Sequence, residues 1–290
     1  MNVTAPASSL LPRCTFAPAG TPVVCAVSGG ADSLALLVLA AAAGCEVTAV
    51  HVDHGLRPES AGEADVVAAA AARFGARFRS VRAEIGPGGN LEARARAARR
   101  AALPPDAATG HTADDQAETI LLNLVRGAGL DGLAGMRPGP TKPLLALRRS
   151  ETHALCAAEG LVPVQDPSNA DPAFRRNRVR HELLPLLGAI AERDVVPVLV
   201  RQAALLGDEA DLLDELSAGI DAGDASAIAA APPALARRAL RALLAGGDHP
   251  PSAAAVERVL AVARRDVTAC EIEGGRRVSR SRGRLHAGPE

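Results

Sequence analysis

Ser28-Gly29-Gly30-Ala31-Asp32-Ser33 is the stretch that decides the fold of this 290-residue chain. It follows a short apolar run, residues 22–27, that is typical of a buried strand, and it opens a Leu- and Ala-rich run, residues 34–43, that is long enough for a helix. A strand, a glycine turn and a helix in this order direct backbone N–H groups and the positive end of the helix dipole at one point. The stretch therefore predicts a phosphate-binding loop.

Two common phosphate loops are excluded because residues they require are missing. A Walker A loop needs a Lys beside its final Ser or Thr, and the only lysine of this chain is Lys142. The dinucleotide fingerprint G-x-G-x-x-G is also absent from this position. The spacing S-G-G-x-D-S instead resembles the signature of the PP-loop ATP pyrophosphatases, which split ATP between its α and β phosphates. The alternative, a Ser/Gly turn without a ligand, is disfavoured by the strand and helix around it.

Composition limits the classes of protein to which the chain can belong. Its length suits two domains better than one, and only four side chains are aromatic, all of them Phe. The net charge of −1 provides no global attraction to nucleic acid, so any RNA contact must use local Arg patches. Five scattered cysteines without a C-x-x-C pair, no apolar run of membrane-spanning length and no basic leader predict a cytoplasmic protein with no membrane partner.

Strand and helix patterns alternate through the first half of the chain. The strands predicted after the loop helix cover residues 46–52, 76–81 and 106–109, and the helices between them cover residues 58–75 and 91–103. This alternation predicts an α/β fold with a doubly wound parallel sheet. Polar residues at the ends of such strands lie where open sheets bind ligands, which draws attention to His51 and Asp53.

A second group of chemically active residues begins a predicted helix that runs to Arg126. His111 stands at the start of this helix, and Asp115 and Glu118 are three residues apart on one face of it. Clustered carboxylates repel each other unless a cation lies between them, and that cation could be Mg²⁺ held with ATP phosphates or the ammonium of a substrate. The alternative is that acidic residues are simply favoured at a helix N terminus.

Arginine is concentrated at two later places. Residues 175–180 have the sequence RRNRVR after a turn-rich acidic loop, which indicates contacts with phosphate. Residues 268–286 alternate around Gly274-Gly275 and predict a hairpin that carries five arginines. These five would either touch RNA phosphates or form a soluble sheet edge.

Taken together, these stretches resemble the tRNA(Ile)-lysidine synthases, in their short form with one small C-terminal domain. The motifs that carry the resemblance occur in the family's order over residues 22–187. They are the loop at 28–33, HVDHGLR at 51–57, NLEARARAAR at 90–99, GHTADDQAET at 110–119, LLNLVRGAGLDGLAGM at 121–136, KPLL at 142–145, and DPSNAD with RRNRVR within 166–180. Three positions depart from the family pattern: Thr112 replaces a second His, Arg100 a Tyr, and Gln165 an aromatic residue.

The resemblance implies an activity, its partners and the roles of individual residues. ATP would adenylate the C2 oxygen of the wobble cytidine of an isoleucine tRNA, and the amine of free L-lysine would then displace AMP to give lysidine. The implied cofactors are ATP and Mg²⁺, the implied partners are free L-lysine and the anticodon loop of the tRNA, and a homodimer is allowed. The implied catalytic residues are Asp32, His111, Asp115 and Glu118, of which Asp32 and Asp115 would hold the metal. The implied nucleotide-binding residues are Ser28, Gly29, Gly30, Ala31, Asp32, Ser33, His51, Asp53 and Gly110. The implied RNA- or substrate-binding residues are Arg96, Arg99, Arg126, Arg176, Asn177 and Arg180.

On these patterns we divide the chain into four parts. A loose, aperiodic lead-in covers residues 1–20 and the ATP-binding catalytic domain covers residues 21–187. A helical linker follows over residues 188–224, and a small C-terminal domain over residues 225–290 is expected to contact tRNA.

Three other functions are compatible with a phosphate loop. A PP-loop thiolation enzyme would need cysteines at the site. A small-molecule amide-forming ligase such as NAD synthetase would not explain the segment Arg176-Asn177 or a second domain. A nucleotide-binding regulatory module would have no use for the carboxylates Asp114, Asp115 and Glu118.

Overall fold

The computed structural model describes residues 5–53, 60–83, 94, 97–98, 100–166, 168, 171–245 and 251–289. The chain divides into two compact units, Met1–Ala204 and Leu205–Glu290. The division falls inside one long helix, Val196–Ala218. The finer partition at residues 20, 187 and 224 stays a prediction.

A four-stranded parallel sheet forms the centre of the first unit. Its strands are β1 (Pro22–Ala26), β2 (Glu46–Asp53), β3 (Arg77–Arg82) and β4 (Ala108–Thr109), in the order β3-β2-β1-β4. All three pairings are parallel, and Cys25 of β1 lies between Ala49 and Ala108. The predicted α/β fold with a doubly wound parallel sheet is confirmed, and the parallel order brings the C-terminal ends of β1 and β4 side by side.

Eight helices are described in the first unit before residue 192. They are α1 (Ala5–Leu10), α2 (Ala31–Ala42), α3 (Ser60–Arg73), α4 (Ala113–Val125), α5 (Leu130–Leu133), α6 (Arg149–Ala158), α7 (Arg175–Arg178) and α8 (Leu184–Ala191). A 3₁₀ turn, Leu11–Arg13, follows α1, and a π-helical turn, Val179–Leu183, joins α7 to α8. The helix predicted over residues 91–103 lies largely outside the described residues.

The helix that follows the phosphate loop is the most deeply buried element of the first unit. From Leu34 to Ala40 every side chain of α2 is buried, because this run contains only Leu, Val and Ala. It packs against β1, β2 and α6. The loop is therefore held at one end by a strand in the sheet and at the other by a helix in the core.

The prediction of a loose lead-in over residues 1–20 is wrong for residues 5–13. Ala7 and Leu10 of α1 are buried in the main core, and Arg13 forms an ion pair with Glu151 in which Nη1 and Oε1 are 2.5 Å apart. Two buried residues three positions apart are enough to dock a short helix, although they leave no periodic pattern in the sequence.

The second unit contains helices and a small antiparallel sheet. Its elements are the end of α9 (Val196–Ala218), α10 (Ala225–Ala230), α11 (Pro233–Leu244), α12 (Ala253–Arg264), β5 (Ala269–Ile272), β6 (Arg276–Ser281) and β7 (Arg284–Pro289). The strands lie in the order β5-β6-β7, so the tail forms two hairpins where the sequence predicted one. Ile228, Leu240 and Val259 are among the residues of its separate core.

Three of the five tail arginines hold this second unit together. Arg276 and Arg280 donate to the carbonyl oxygens of Leu244 and Ala263 at 3.0 and 2.7 Å, and Arg284 pairs with Asp221 at 2.5 Å. The sequence analysis allowed two roles for these arginines, RNA contact or a plain sheet edge. The structure shows a third, structural role for Arg276, Arg280 and Arg284. Arg277 and Arg282 are exposed.

Candidate active site

The loop at residues 28–33 joins β1 to α2 and is braced by its own hydroxyl groups. The Ser33 hydroxyl donates to the Gly30 carbonyl oxygen at 2.8 Å and accepts from the Ser28 N–H at 3.1 Å. The Ser28 and Ser33 hydroxyl oxygens are 3.2 Å apart. Gly30 is the N-cap of α2, so the loop stands at the positive end of that helix dipole. This is the geometry that favours an anion.

Two glycines allow the loop to be clamped by neighbouring segments. Gly29 has a φ of +89°, and a Cβ atom there would lie 2.9 Å from Cγ2 of Val164. The Gly29 carbonyl accepts from the Val164 N–H at 3.0 Å. A Cβ atom on Gly110, just after β4, would lie 2.5 Å from the carbonyl oxygen of Asp32. Any side chain at residue 110 must therefore displace the loop.

A cavity of about 680 Å³ opens beside the loop, which is within the usual size range of small-molecule sites. The predicted site residues on its wall are Ser28, Gly30, Ala31, Asp32, Ser33, Gly110, His111, Asp115 and Arg180. His111 is held by a 2.7 Å contact between its Nδ1 and Oγ1 of Thr109. The structure thus brings together residues from three separate predicted motifs.

Other predicted site residues lie elsewhere. His51 is only 2% exposed, its Nδ1 is 3.1 Å from the carbonyl oxygen of Val27, and neither it nor Asp53 at the end of β2 is on the described cavity wall. Arg96 and Arg99, like residues 54–57 of the second motif, lie outside the described residues.

Asp115 and Glu118 meet three guanidinium groups on the inner face of α4. The Glu118 side chain is 0% exposed; its Oε1 accepts from Arg149 at 3.1 Å and from Arg180 at 2.7 Å, and its Oε2 accepts from Arg176 at 2.7 Å. Oδ1 of Asp115 accepts from Arg149 at 2.9 Å and from Arg176 at 3.0 Å. The cations that hold these two carboxylates together in the described part of the chain are arginines, a possibility the sequence-based alternatives did not include.

Asp115 is also fixed from its own helix. Thr112 is the N-cap of α4, and both its N–H and its hydroxyl donate to Oδ2 of Asp115 at 2.9 Å. Burial raises the pKa of Asp115, but Arg149, Arg176 and the Thr112 N–H outweigh it, and the pKa lies below its usual value. The departure from the family pattern at Thr112 therefore places a hydroxyl donor on the carboxylate.

Asp32, in the phosphate loop, contacts Arg149, the same arginine that contacts Asp115 and Glu118. Its Oδ2 is 3.5 Å from Nε of Arg149, and its Oδ1 accepts a short hydrogen bond from the Thr152 hydroxyl. Burial raises the pKa of Asp32 above its usual value despite both contacts. Loop and carboxylate cluster are thus joined through the first turn of α6.

Arg149 and Thr152 were missed by the sequence analysis. Arg148 is the N-cap of this helix and Arg149 is its first helical residue. A signal was available, because cations are unfavourable at a helix N terminus and two consecutive arginines there imply anionic partners. The spacing of three residues places Arg149 and Thr152 on one face of α6.

Asp114 is not on the described wall of this cavity. Its carboxylate accepts two hydrogen bonds from Arg148 at 3.1 Å and one from the Arg149 N–H at 2.8 Å. Burial raises the pKa of Asp114, but these contacts outweigh it and the pKa lies below its usual value. Asp114 therefore ties α4 to α6, although it is adjacent in sequence to a cavity residue.

The predicted RNA-contacting residues fall into three different environments. Arg176 and Arg180 face the buried carboxylates, and Arg126 is exposed at the C-terminal end of α4. Asn177 is buried and donates to the carbonyl oxygens of Ser168 and Asp171 at 2.7 and 2.8 Å. Its observed contacts hold the preceding loop against α7.

A parallel β-α unit with this loop at a helix N terminus, beside a cavity with clustered carboxylates and arginines, defines a PP-loop ATP-binding domain. A family model described as a PP-loop domain matches residues 13–187, and a model described as the TilS substrate binding domain matches residues 224–286.

Relatives of known name narrow the class to one family. The chain is 43% identical over 276 residues to the tRNA(Ile)-lysidine synthase of Nocardia farcinica, with 89% of this chain and 86% of that protein covered. It is 39% identical over 297 residues to that of Thermobifida fusca, with 92% of both chains covered. The chain belongs to the tRNA(Ile)-lysidine synthase family.

A solved structure supports the fold alone. The U34-tRNA thiolase NcsA from Methanococcus maripaludis, a structure with a [4Fe-4S] cluster, is similar with a TM-score of 0.55 at 18% identity, covering 70% of this chain and 77% of that one. Two negative findings apply to the described residues: none of their helices is long and apolar enough to cross a membrane, and they contain no group of three or more His, Cys, Asp or Glu side chains suited to a metal ion.

Proposed function

We propose that this chain is a cytoplasmic ligase that joins free L-lysine to C2 of the wobble cytidine of an isoleucine tRNA and converts ATP to AMP and diphosphate. The observation that carries the proposal is the position of Asp115 and Glu118, a buried pair of carboxylates beside the phosphate loop and its cavity. Arginines contact these carboxylate oxygens, which are also the acceptors that a substrate ammonium would use, and the pair adjoins a loop that suits phosphates. The names of the relatives supply the substrate class.

The proposed reaction has two steps. The C2 oxygen of the cytidine attacks the α phosphorus of ATP, forming an O–P bond, and diphosphate leaves. The lysine ε-nitrogen then attacks C2, the C2–O bond breaks, and AMP leaves with that oxygen. A carboxylate accepts the proton that the nitrogen loses.

Two carboxylates of the cavity wall would hold Mg²⁺. Asp32 and Asp115 both line the cavity, and Mg²⁺ is usually bound by one or two carboxylates together with substrate phosphates. When bound with ATP, the ion would neutralise charge on the departing diphosphate. Ser28, Ser33 and the N-terminal end of α2 would orient the phosphates, and His111 would lie beside the nucleotide.

The cysteines favour ligation over thiolation. Cys156 lies on the described cavity wall, and burial raises its pKa to about 11, which disfavours the reactive thiolate. Cys25 is buried in β1 and burial raises its pKa to about 12.

In the second unit, the exposed Arg277 and Arg282 are the tail residues that we assign to tRNA contact. A homodimer stays a prediction.

The test is incorporation of labelled lysine into total tRNA with ATP and Mg²⁺. Wild type is expected to produce a labelled nucleoside, and Asp32→Ala and Glu118→Gln to lose it. Asp208→Ala, an exposed carboxylate on α9, serves as the matched control and should retain it. Release of AMP that requires tRNA but gives no label would favour another tRNA modification. Release of AMP without tRNA would favour a small-molecule ligase, and no AMP at all would favour a binding module.

A further inference from the structure

Arg149 contacts carboxylates on both sides of the site. Its Nε is 3.5 Å from Oδ2 of Asp32, its Nη2 is 2.9 Å from Oδ1 of Asp115, and its Nη1 is 3.1 Å from Oε1 of Glu118. Among the ion pairs of the described residues, those of Arg149 alone join Asp32 to the other two carboxylates. One guanidinium therefore bridges the phosphate-loop side and the carboxylate side of the site.

Among the described residues, two neighbouring arginines contact the carboxylates of Asp115 and Glu118 only. Arg176 lies 2.7 Å from Glu118 and 3.0 Å from Asp115, and Arg180 lies 2.7 Å from Glu118 and 3.8 Å from Asp115. Neither forms an ion pair with Asp32 in the described structure. The cluster thus contains a bridging arginine and two arginines that are confined to the carboxylate side.

Charge balance indicates what the bridge would do when a nucleotide binds. The three guanidiniums and the carboxylates of Asp32, Asp115 and Glu118 balance formally, and the phosphates of ATP would add negative charge beside Asp32. A guanidinium pairs strongly with phosphate oxygens, often through two parallel hydrogen bonds. Movement of the Arg149 guanidinium toward phosphate would release acceptor positions on Asp115 and Glu118, the oxygens that an ammonium would also use.

We propose that Arg149 is a positioning residue that couples the nucleotide side of the site to the amine side. It occupies acceptor positions on Asp115 and Glu118 until phosphates beside Asp32 draw its guanidinium away, so lysine binds more tightly after ATP than before it. This inference rests on the proposed function, because it takes lysine as the amine.

The experiment measures lysine affinity twice for each full-length variant. Labelled lysine is bound at equilibrium with and without α,β-methylene-ATP plus Mg²⁺, an analogue that cannot be cleaved between its α and β phosphates. In wild type the analogue is expected to tighten lysine binding by about tenfold, within the usual range of couplings between sites. Arg149→Gln should reduce this ratio to near one. Arg180→Gln, which removes a guanidinium from the same carboxylates, should change both affinities but keep the ratio.

Three outcomes would overturn the coupling role: no nucleotide effect in wild type, an unchanged ratio in Arg149→Gln, or an equal loss of the ratio in Arg180→Gln. If Arg149→Gln does not fold, Arg149→Lys supplies the test. It keeps the charge but cannot span three carboxylates, so an intermediate ratio is expected and an unchanged ratio would contradict the proposal. Incorporation of lysine into tRNA by wild type distinguishes a failure of the coupling role from a failure of the proposed function. Incorporation without a nucleotide effect on binding rejects only the coupling, whereas no incorporation and no lysine binding reject the proposed function itself.

Discussion

The phosphate loop and the arginine–carboxylate cluster lie on one cavity but are held together in different ways. The loop consists of six consecutive residues, and its internal hydrogen bonds join Ser28, Gly30 and Ser33, at most five positions apart. The cluster joins side chains that are at least 31 positions apart, and its central carboxylate, Glu118, is fully buried. Local backbone geometry builds the first, whereas the second exists only because α4, α6, α7 and the π-helical turn after α7 are packed together.

We expect the largest loss of stability from a substitution in the arginine–carboxylate cluster. Glu118→Ala leaves Arg149, Arg176 and Arg180 without their shared partner. Removal of one member of a buried ion pair typically costs about 3–5 kcal/mol, and we expect a loss of this size in urea unfolding. Glu182→Ala is the matched control, because the Arg178–Glu182 pair is exposed and should leave unfolding unchanged. Equal effects of the two substitutions would mean that the cluster does not act as a buried unit.

The next largest effect is expected where the two regions meet. Gly110→Ala places a Cβ atom against the Asp32 carbonyl oxygen and must displace the phosphate loop. Overpacking of this kind usually costs about 1–3 kcal/mol, and we expect ATP affinity to fall by about tenfold, the factor that corresponds to 1.4 kcal/mol. Gly62→Ala, within α3 and with no atom within 4 Å of the new Cβ, is the control. Unchanged ATP affinity in Gly110→Ala would show that the loop tolerates displacement.

The pH dependence of stability should have opposite signs at Asp114, which joins two helices that carry the cluster, and at Asp32 in the loop. The pKa of Asp114, which ties α4 to α6, lies below its usual value, so it contributes stability above the unfolded pKa of about 4 that is lost as pH falls through the folded pKa. The pKa of Asp32 in the loop is raised, so its protonated form favours folding and this contribution is lost as pH rises through the folded pKa.

Urea midpoints between pH 3 and pH 7 test this difference. Asp114→Asn should lose stability at neutral pH and flatten the acid limb of the profile. Asp32→Asn should gain stability relative to wild type as the pH rises. Parallel profiles for both variants would contradict the opposite signs.

The smallest effect is expected within the loop. Ser33→Ala removes one donor to the Gly30 carbonyl and one acceptor for the Ser28 N–H. A net loss of about 1 kcal/mol is typical of such a hydrogen bond. Ser9→Ala, whose exposed hydroxyl donates to the Pro6 carbonyl oxygen, should change the free energy of unfolding by less than about 0.5 kcal/mol. A loss in Ser33→Ala as large as that in Glu118→Ala would remove the distinction between the two regions.

Sequence patterns were sufficient for elements that carry a local signal of their own. The parallel sheet and the helix after the loop were both predicted, because the hydrophobic period is a local signal. The docked helix α1 was missed because only two of its side chains are buried. The second hairpin of the tail was missed because strands of four to six residues carry little periodic information.

The sequence by itself determined the phosphate loop, since six adjacent residues with two glycines and a following apolar helix leave the backbone little choice. It also placed Asp115 and Glu118 on one face of a helix. Only the tertiary structure decided which cations meet those carboxylates, that Asp114 turns toward Arg148, and that Arg149 reaches Asp32. The physical reason is that an ion pair depends on the distance between two side chains, and residues more than thirty positions apart acquire that distance only when their helices pack.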